Sequence, residues 1–201
     1  MSASIDFYFD FSSPYGYLAS EKIEALAAKH GRAVDWHPIM LGVIFKQTGA
    51  APLTTIPLKG DYSRHDMARS ARLYGVTDFR MPSKFPIPSQ APARIVLWQK
   101  QQDAALAVKV IHALYRAFFA VDLDISAPEN AVAVAATCGV DAVAARAAID
   151  DPAVKESLKQ ENDRAVARGV FGSPFVIVDG EPFWGMDRLD QVERWLATGG
   201  W

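Results

Sequence analysis

Three short stretches carry residues whose types and spacing suit chemistry. The first is Ser12-Ser13-Pro14-Tyr15. Ser13 has the side chain of a helix N-cap, and Pro14 suits the first helical position. A helix N-terminus offers unpaired N–H groups and the positive end of the helix dipole, a setting that stabilises anions and thiolates. Residue type alone makes Ser13 an N-cap. A functional reading adds that its oxygen accepts a backbone N–H while its proton points outward to a ligand anion. The second stretch is Phe171-Gly172-Ser173-Pro174-Phe175. Trans is the commoner state before proline, which makes Pro174 part of a plain loop. A cis bond would instead turn the Ser173 backbone N–H and C=O toward an extended, peptide-like ligand. The third is Trp184-Gly185-Met186-Asp187-Arg188. Asp187 reads as a helix cap, or as a carboxylate beside free N–H groups that could bind an amino-acid-like zwitterion.

The elements that must position these residues follow from the apolar pattern. Ile5 to Phe11 is aromatic or aliphatic except at Asp6 and Asp10, and reads as a strand. After Ser13-Pro14, helical spacing runs through Leu18, Ile23, Leu26 and Ala27 to a stop at Gly31. Val34 to Ile39 reads as a second strand, at a spacing that allows a parallel crossover. From Leu41 to about Arg94 the chain is proline-rich, and the pattern predicts short helices and loops. Firmer helices follow from Arg94, from Leu106 to Val121, from Glu129 to Cys138, from Ala142 to Ile149 and from Asp151 to about Arg168. Phe175 to Val178 is a strong strand, Asp179-Gly180 a hairpin turn, and Pro182 to Trp184 the returning strand. Asp187 is then expected to cap a last helix, Leu189 to Leu196. The pattern βαβ, helical block, ββα predicts an α/β fold: a small mixed sheet interrupted by a helical insertion.

Composition removes other classes. The chain has 201 residues, a net charge of -2 and one cysteine, Cys138. No disulfide framework or Cys-x-x-Cys site is possible, and Cys138 reads as a small buried hydrophobe. No basic patch suits nucleic acid, no apolar run suits a membrane, and the N-terminus has no basic leader. A reducing, cytoplasmic setting is expected. His30, His37, His65 and His112 have no metal-ligand spacing, so no metal is expected. Phosphate-loop glycine patterns and a Gly-x-Ser-x-Gly elbow are absent.

Taken together, Phe9-Asp10-Phe11-Ser12-Ser13-Pro14-Tyr15, Phe171-Gly172-Ser173-Pro174 and Trp184-Gly185-Met186-Asp187-Arg188 resemble the 2-hydroxychromene-2-carboxylate isomerases and kappa-class glutathione transferases. The resemblance spans essentially the whole chain. It implies a thioredoxin-like domain over residues 1–45 and 169–201, related to the disulfide oxidoreductase DsbA, with a helical insertion domain over 46–168. Where DsbA-like proteins carry Cys-Pro-x-Cys, this chain reads Ser13-Pro14-Tyr15-Gly16, so thiol–disulfide exchange has no chemical basis.

The resemblance implies instead that glutathione is the cofactor and supplies the sulfur. Ser13 would then be the catalytic residue, hydrogen-bonded to that sulfur, with Tyr15 beside it. Ser173, before a cis Pro174, would pair with the cysteinyl backbone of glutathione. Met186 and Asp187 would hold its γ-glutamyl end, and Lys59 its glycyl end. The implied activity is cis–trans isomerisation of a small aromatic substrate by a homodimer. Conjugation of electrophiles by a kappa-like transferase, or a non-catalytic binding module, are the alternatives. Two departures stand out: Gly49-Ala50-Ala51-Pro52 replaces the relatives' Gly-Asn-Lys-Pro, and Phe85-Pro86-Ile87-Pro88 lacks the asparagine that often follows Phe-Pro-Pro. Both concern the tripeptide's glycyl end and the acceptor pocket.

Overall fold

The computed structural model describes residues 4–201. β1 (Ile5–Phe9) leads into α1 (Pro14–Lys29), and β2 (Val34–Pro38) returns parallel to β1, from Ile5 opposite Val34 to Phe9 opposite Pro38. A run of helices follows: α2 (Leu41–Thr48), α3 (Lys59–Leu73), α4 (Gln90–Lys100), α5 (Ala104–Phe119), α6 (Pro128–Thr137), α7 (Ala142–Asp150) and α8 (Pro152–Ala167). β3 (Phe175–Val178) and β4 (Glu181–Trp184) then form an antiparallel hairpin, and α9 (Leu189–Thr198) follows. The sheet order is β2-β1-β3-β4, with β1 and β3 antiparallel.

Alternation along the strands divides the interior. Ile5, Phe7, Phe9, Val176 and Val178 join one apolar cluster with Leu18 and Ile23 of α1, Ile111, Leu114 and Phe119 of α5, and Val192 of α9. Tyr8, Phe175 and Ile177 face the other way, against Ile44 of α2, Ala165 of α8 and Val170. Asp179 and Gly180 both have positive φ, 52° and 95°, the backbone that a two-residue hairpin needs to match strand twist.

The middle of the chain departs from expectation. α3 is a helix of 15 residues, not a short piece between loops. Its buried positions are Gly60, Ser63, Met67 and Ala71, so the inward stripe is too small and polar to register as an apolar period. α4 starts at Gln90 rather than Arg94, because Pro92 falls within its first turn, where no helical hydrogen bond is lost. At the end of the chain, Asp187 caps nothing. Met186–Arg188 form a 3₁₀ turn, and Arg188 occupies the N-cap position of α9 without a side-chain cap. Among the described residues no helix is long and apolar enough to cross a membrane.

Candidate active site

Ser13 stands between β1 and α1 with an extended backbone, φ -104° and ψ 110°. Its Oγ accepts the Gly16 N–H at 3.0 Å, which makes it the N-cap of α1, with Pro14 in the first turn. The side chain is not turned outward. Ser13 is 4% exposed, and its hydroxyl donates to the Ser173 carbonyl at 2.8 Å. The Ser173–Pro174 peptide is cis, which corrects the trans loop favoured by residue statistics and agrees with the form that the resemblance implies. Ser173 Oγ accepts the Asp10 N–H at 3.0 Å, and the Pro174 carbonyl accepts the Gly185 N–H at 3.0 Å. One line of bonds thus joins the end of β1, the start of α1, the proline loop and the end of β4.

Asp10 organises this region, although the residue pattern marks it only as an interruption in an apolar run and as part of the stretch that carries the resemblance. It is buried, and its carboxylate accepts from the Ser12 N–H at 2.8 Å, the Ser89 hydroxyl at 2.6 Å and the Leu41 N–H at 2.6 Å. Its carbonyl accepts the hydroxyl of the buried Tyr115 at 2.9 Å and the Ser13 N–H at 2.9 Å. The starts of α1, α2 and α4 are therefore fixed to one residue. Burial pushes the Asp10 carboxyl above the usual range, against the opposing hydrogen bonds of Ser89, Ser12 and Leu41. The available signal was an Asp placed just before Ser12-Ser13-Pro14, where a short acceptor side chain can hold the following N–H groups.

Gly16 lies where these groups converge. A Cβ there would stand 2.8 Å from both Ser173 Oγ and Tyr115 Oη and 3.1 Å from Ser13 Cβ. The second sulfur position of a Cys-x-x-Cys helix start is thus filled by neighbouring side chains. Cys138 lies elsewhere, after α6, with Sγ 3.8 Å from the Lys109 carbonyl.

Around this centre, Tyr15 donates its hydroxyl to Asp66 of α3 at 2.7 Å, and Asp66 also pairs with Arg69. Burial and the Asp66 carboxylate push the Tyr15 phenol well above its ordinary range, so it stays a donor. α3 begins at Lys59, which is exposed and makes no ion pair among the described residues. A Cβ on the next residue, Gly60, would stand 2.7 Å from the Thr54 carbonyl, so the preceding loop folds closely onto this helix start. Ile87 donates its N–H to Ser12 Oγ at 3.1 Å, bringing the Phe85–Pro88 segment onto the same turn. Met186 is buried in the core with Leu189 and Val192, so it can offer a ligand only its backbone. Asp187 is exposed, and among the described residues its one ion pair is with Arg188 at 3.4 Å.

A separate charged cluster joins β1, β2 and α8. His37 bonds Glu161 at 2.6 Å and lies 3.3 Å from both Asp6 and Asp35. Asp6, Asp35 and His37 could offer three ligand atoms within 4.8 Å of one another, but Lys100 and Arg168 already pair with the two aspartates. It reads as an ion-pair network.

Comparison with known proteins identifies the family and the fold. The family model for the DSBA-like thioredoxin domain matches residues 4–197. The chain belongs to that family. A 2-hydroxychromene-2-carboxylate isomerase of Sphingobium xenophagum is 30% identical over 98% of this chain and 99% of its own length. A kappa 2 glutathione S-transferase of Caenorhabditis elegans is 29% identical over 96% of this chain and 91% of its own. The solved structure of a 2-hydroxychromene-2-carboxylate isomerase superposes with a TM-score of 0.87 at 26% identity, covering 96% of this chain and 94% of the other. The fold is thus the thioredoxin-like DsbA fold, and its relatives include isomerases and glutathione transferases. Within that DsbA-like frame, Ser13, Ser173 and Pro174 meet directly. Tyr15 and Lys59 are linked to them through α3, and Met186 and Asp187 through the Gly185–Pro174 bond.

Proposed function

We propose that this protein is a glutathione-dependent isomerase acting on aromatic acids of the 2-hydroxychromene-2-carboxylate type. The observation that carries the reading is the Ser13–Ser173 hydrogen bond beside cis-Pro174, at a helix start that lacks both family sulfurs. The residues fit a tripeptide with opposite charges. Lys59 is a cation with no ion pair among the described residues and Asp187 an exposed carboxylate, while the Ser173–Pro174 turn lies beside Ser13. When bound, glutathione would supply a thiolate that adds reversibly to a conjugated carbon–carbon double bond and so permits its rotation.

The chain's own part is to bind and to hold a negative charge. Ser13 Oγ is already fixed by the Gly16 N–H, so its proton is the movable element and can turn from the Ser173 carbonyl to a sulfur. The Tyr15 N–H is a first-turn donor with no acceptor among the described residues, and it adds to the positive end of α1. Lowering a thiol pKa by about two units corresponds to about 2.7 kcal/mol. One charge-assisted hydrogen bond contributes about 1.5–3 kcal/mol and a helix N-terminus about 0.3–1 kcal/mol, which together suffice. Ser173 would pair with the cysteinyl backbone, the Met186 backbone and Asp187 with the γ-glutamyl end, and Lys59 with the glycyl carboxylate. Tyr15, through Asp66, would keep α3 and Lys59 in place. A reducing, cytoplasmic setting, where glutathione stays a thiol, belongs to the same reading.

The test is calorimetric titration of glutathione into the wild-type protein and Ser13→Ala, followed by isomerisation of 2-hydroxychromene-2-carboxylate. Tripeptide binding with a rate at least about a hundredfold lower in Ser13→Ala is expected. Absence of binding, or an unchanged rate in the variant, overturns the proposal. The kappa-class relative supports a second reading, conjugation, which would leave a product heavier by one glutathione.

A further inference from the structure

We infer that the Tyr15–Asp66 hydrogen bond is a strut that sets the span between the sulfur position at Ser13 and the cation Lys59, and so selects the length of the thiol peptide; this rests on the glutathione reading above. Asp66 is the positioning residue. The two ends of the span are the start of α1, at Ser13, and the start of α3, at Lys59. Tyr15 leaves the first turn of α1 and donates to Asp66 Oδ2 at 2.7 Å, joining residues 51 positions apart.

The spacing along α3 brings Lys59 to the same side. Lys59 and Asp66 are seven residues apart, two turns less about 20°, so they share a face about 10.5 Å apart along the axis. The face that meets Tyr15 is therefore the face that carries Lys59, beside the buried stripe of Gly60, Ser63, Met67 and Ala71. Asp66 is braced from behind. Its other oxygen accepts from Arg69, which also donates to Tyr62 Oη at 3.1 Å and lies 5.8 Å over the Tyr62 ring. The Asp66 charge is thus balanced on the spot. Lys59 has no such partner. The residues three and four places on, where a helical ion pair would form, are Tyr62 and Ser63.

The backbone before Lys59 is fixed as well. Leu58 has φ 66° and ψ -46°, and the Lys59 N–H donates to the Pro57 carbonyl at 2.8 Å. This is the strained form of the γ-turn, at a residue other than glycine. The Leu58 side chain is 92% exposed, so its own packing does not impose the turn. The flanking backbone does. The Gly60 N–H donates to the Ile56 carbonyl at 2.8 Å, and a Cβ on Gly60 would stand 2.7 Å from the Thr54 carbonyl. A cation leaving a turn closed in this way has little freedom to follow its ligand, and the ligand must reach it.

Length then decides which peptide does. Each extended residue adds about 3.3–3.6 Å. γ-Glutamylcysteine, one residue shorter than glutathione, ends its carboxylate about that far from Lys59, outside hydrogen-bond range. To close the gap α3 would have to approach α1, which the strut opposes.

The experiment titrates glutathione and γ-glutamylcysteine separately into the wild type, Tyr15→Phe and Asp66→Ala, by calorimetry. The wild type should bind glutathione about tenfold more tightly than the shorter peptide, the loss of one charge-assisted contact. In each variant that preference should fall to threefold or less, because α3 is then free to adjust. A merely structural loss would weaken both peptides alike and leave their ratio where it was. A ratio above threefold in either variant, or a wild type that discriminates threefold or less, overturns the strut and leaves the cofactor reading standing. A wild type that binds neither peptide overturns the cofactor reading and the strut with it.

Discussion

The Asp10 N–H donates to Ser173 Oγ at 3.0 Å, joining residues 163 positions apart. That bond keeps the Ser173 hydroxyl oxygen over Gly16, where a side chain would otherwise go. Gly16→Ala sets two effects against each other. Alanine in place of glycine favours a helix by about 1 kcal/mol, and overpacking costs about 1–3 kcal/mol. Both nearby oxygens are tied to Asp10 and yield poorly, so a net loss of about 1–2 kcal/mol is expected in urea unfolding, along with weaker glutathione binding. A more stable variant would mean that the Ser173 and Tyr115 hydroxyls move aside freely.

Asp10→Asn tests the hub itself. The carboxylate accepts from two backbone N–H groups on different oxygens, those of Ser12 and Leu41. An amide can serve only one of them, which leaves a buried donor unpaired at a cost of about 1–3 kcal/mol. Urea midpoints should fall accordingly. An unchanged midpoint would show that a single oxygen holds the site together.

Asp187 should affect binding and leave stability alone. It is exposed, and among the described residues its only ion pair is with its neighbour Arg188. Asp187→Asn is expected to weaken glutathione about tenfold in calorimetry, the loss of one charge-assisted contact, with no change in melting temperature. A large fall in melting temperature would assign it a structural role instead.

The His37 network predicts a pH dependence. Burial disfavours the charged imidazole, yet the hydrogen bonds to Asp35 and Glu161 outweigh it and lift its pKa to about 9. A pKa raised on folding stabilises the fold fully below its unfolded value, near 6.5, and that share is lost as pH rises through about 9. Glu161 goes the other way: burial raises its pKa, but His37 and Arg164 bring it down to about 2, so its share is lost as pH falls toward that value. Between pH 7 and 10, unfolding free energy should drop by about 1–3 kcal/mol more in the wild type than in His37→Gln. Equal slopes for the two proteins would remove the network from the stability of the fold.

Much of this fold is legible in the chain because apolar side chains recur at the right period. The aromatic run of β1, the Ser13-Pro14 start of α1 and the Asp179-Gly180 hairpin stand where their residue types point. α3 was hidden because its buried stripe is Gly60, Ser63, Met67 and Ala71, in which Met67 is the one large apolar side chain and the other three are small. Asp10 was hidden because its value lies in acceptors used across distant elements, which spacing cannot reveal. Asp187 has the residue type of a cap, but the 3₁₀ turn after Gly185, with φ of 107°, places it one residue ahead of the N-cap position. Ser13, Tyr15, Ser173, Pro174, Met186 and Asp187 lie on the three stretches whose joint pattern carries the resemblance, and Lys59 lies apart from them; the Ser13–Ser173 and Asp10–Ser173 bonds, which spacing does not reveal, join the first two stretches.

Tyr115 belongs to the helical block, yet its ring packs against Phe9 and Phe11 at 5.8 and 5.0 Å and its hydroxyl holds the Asp10 carbonyl. The helices between β2 and β3 are therefore no removable cassette. A block transplanted from a relative would have to bring a tyrosine to the same spot or leave the end of β1 unsupported.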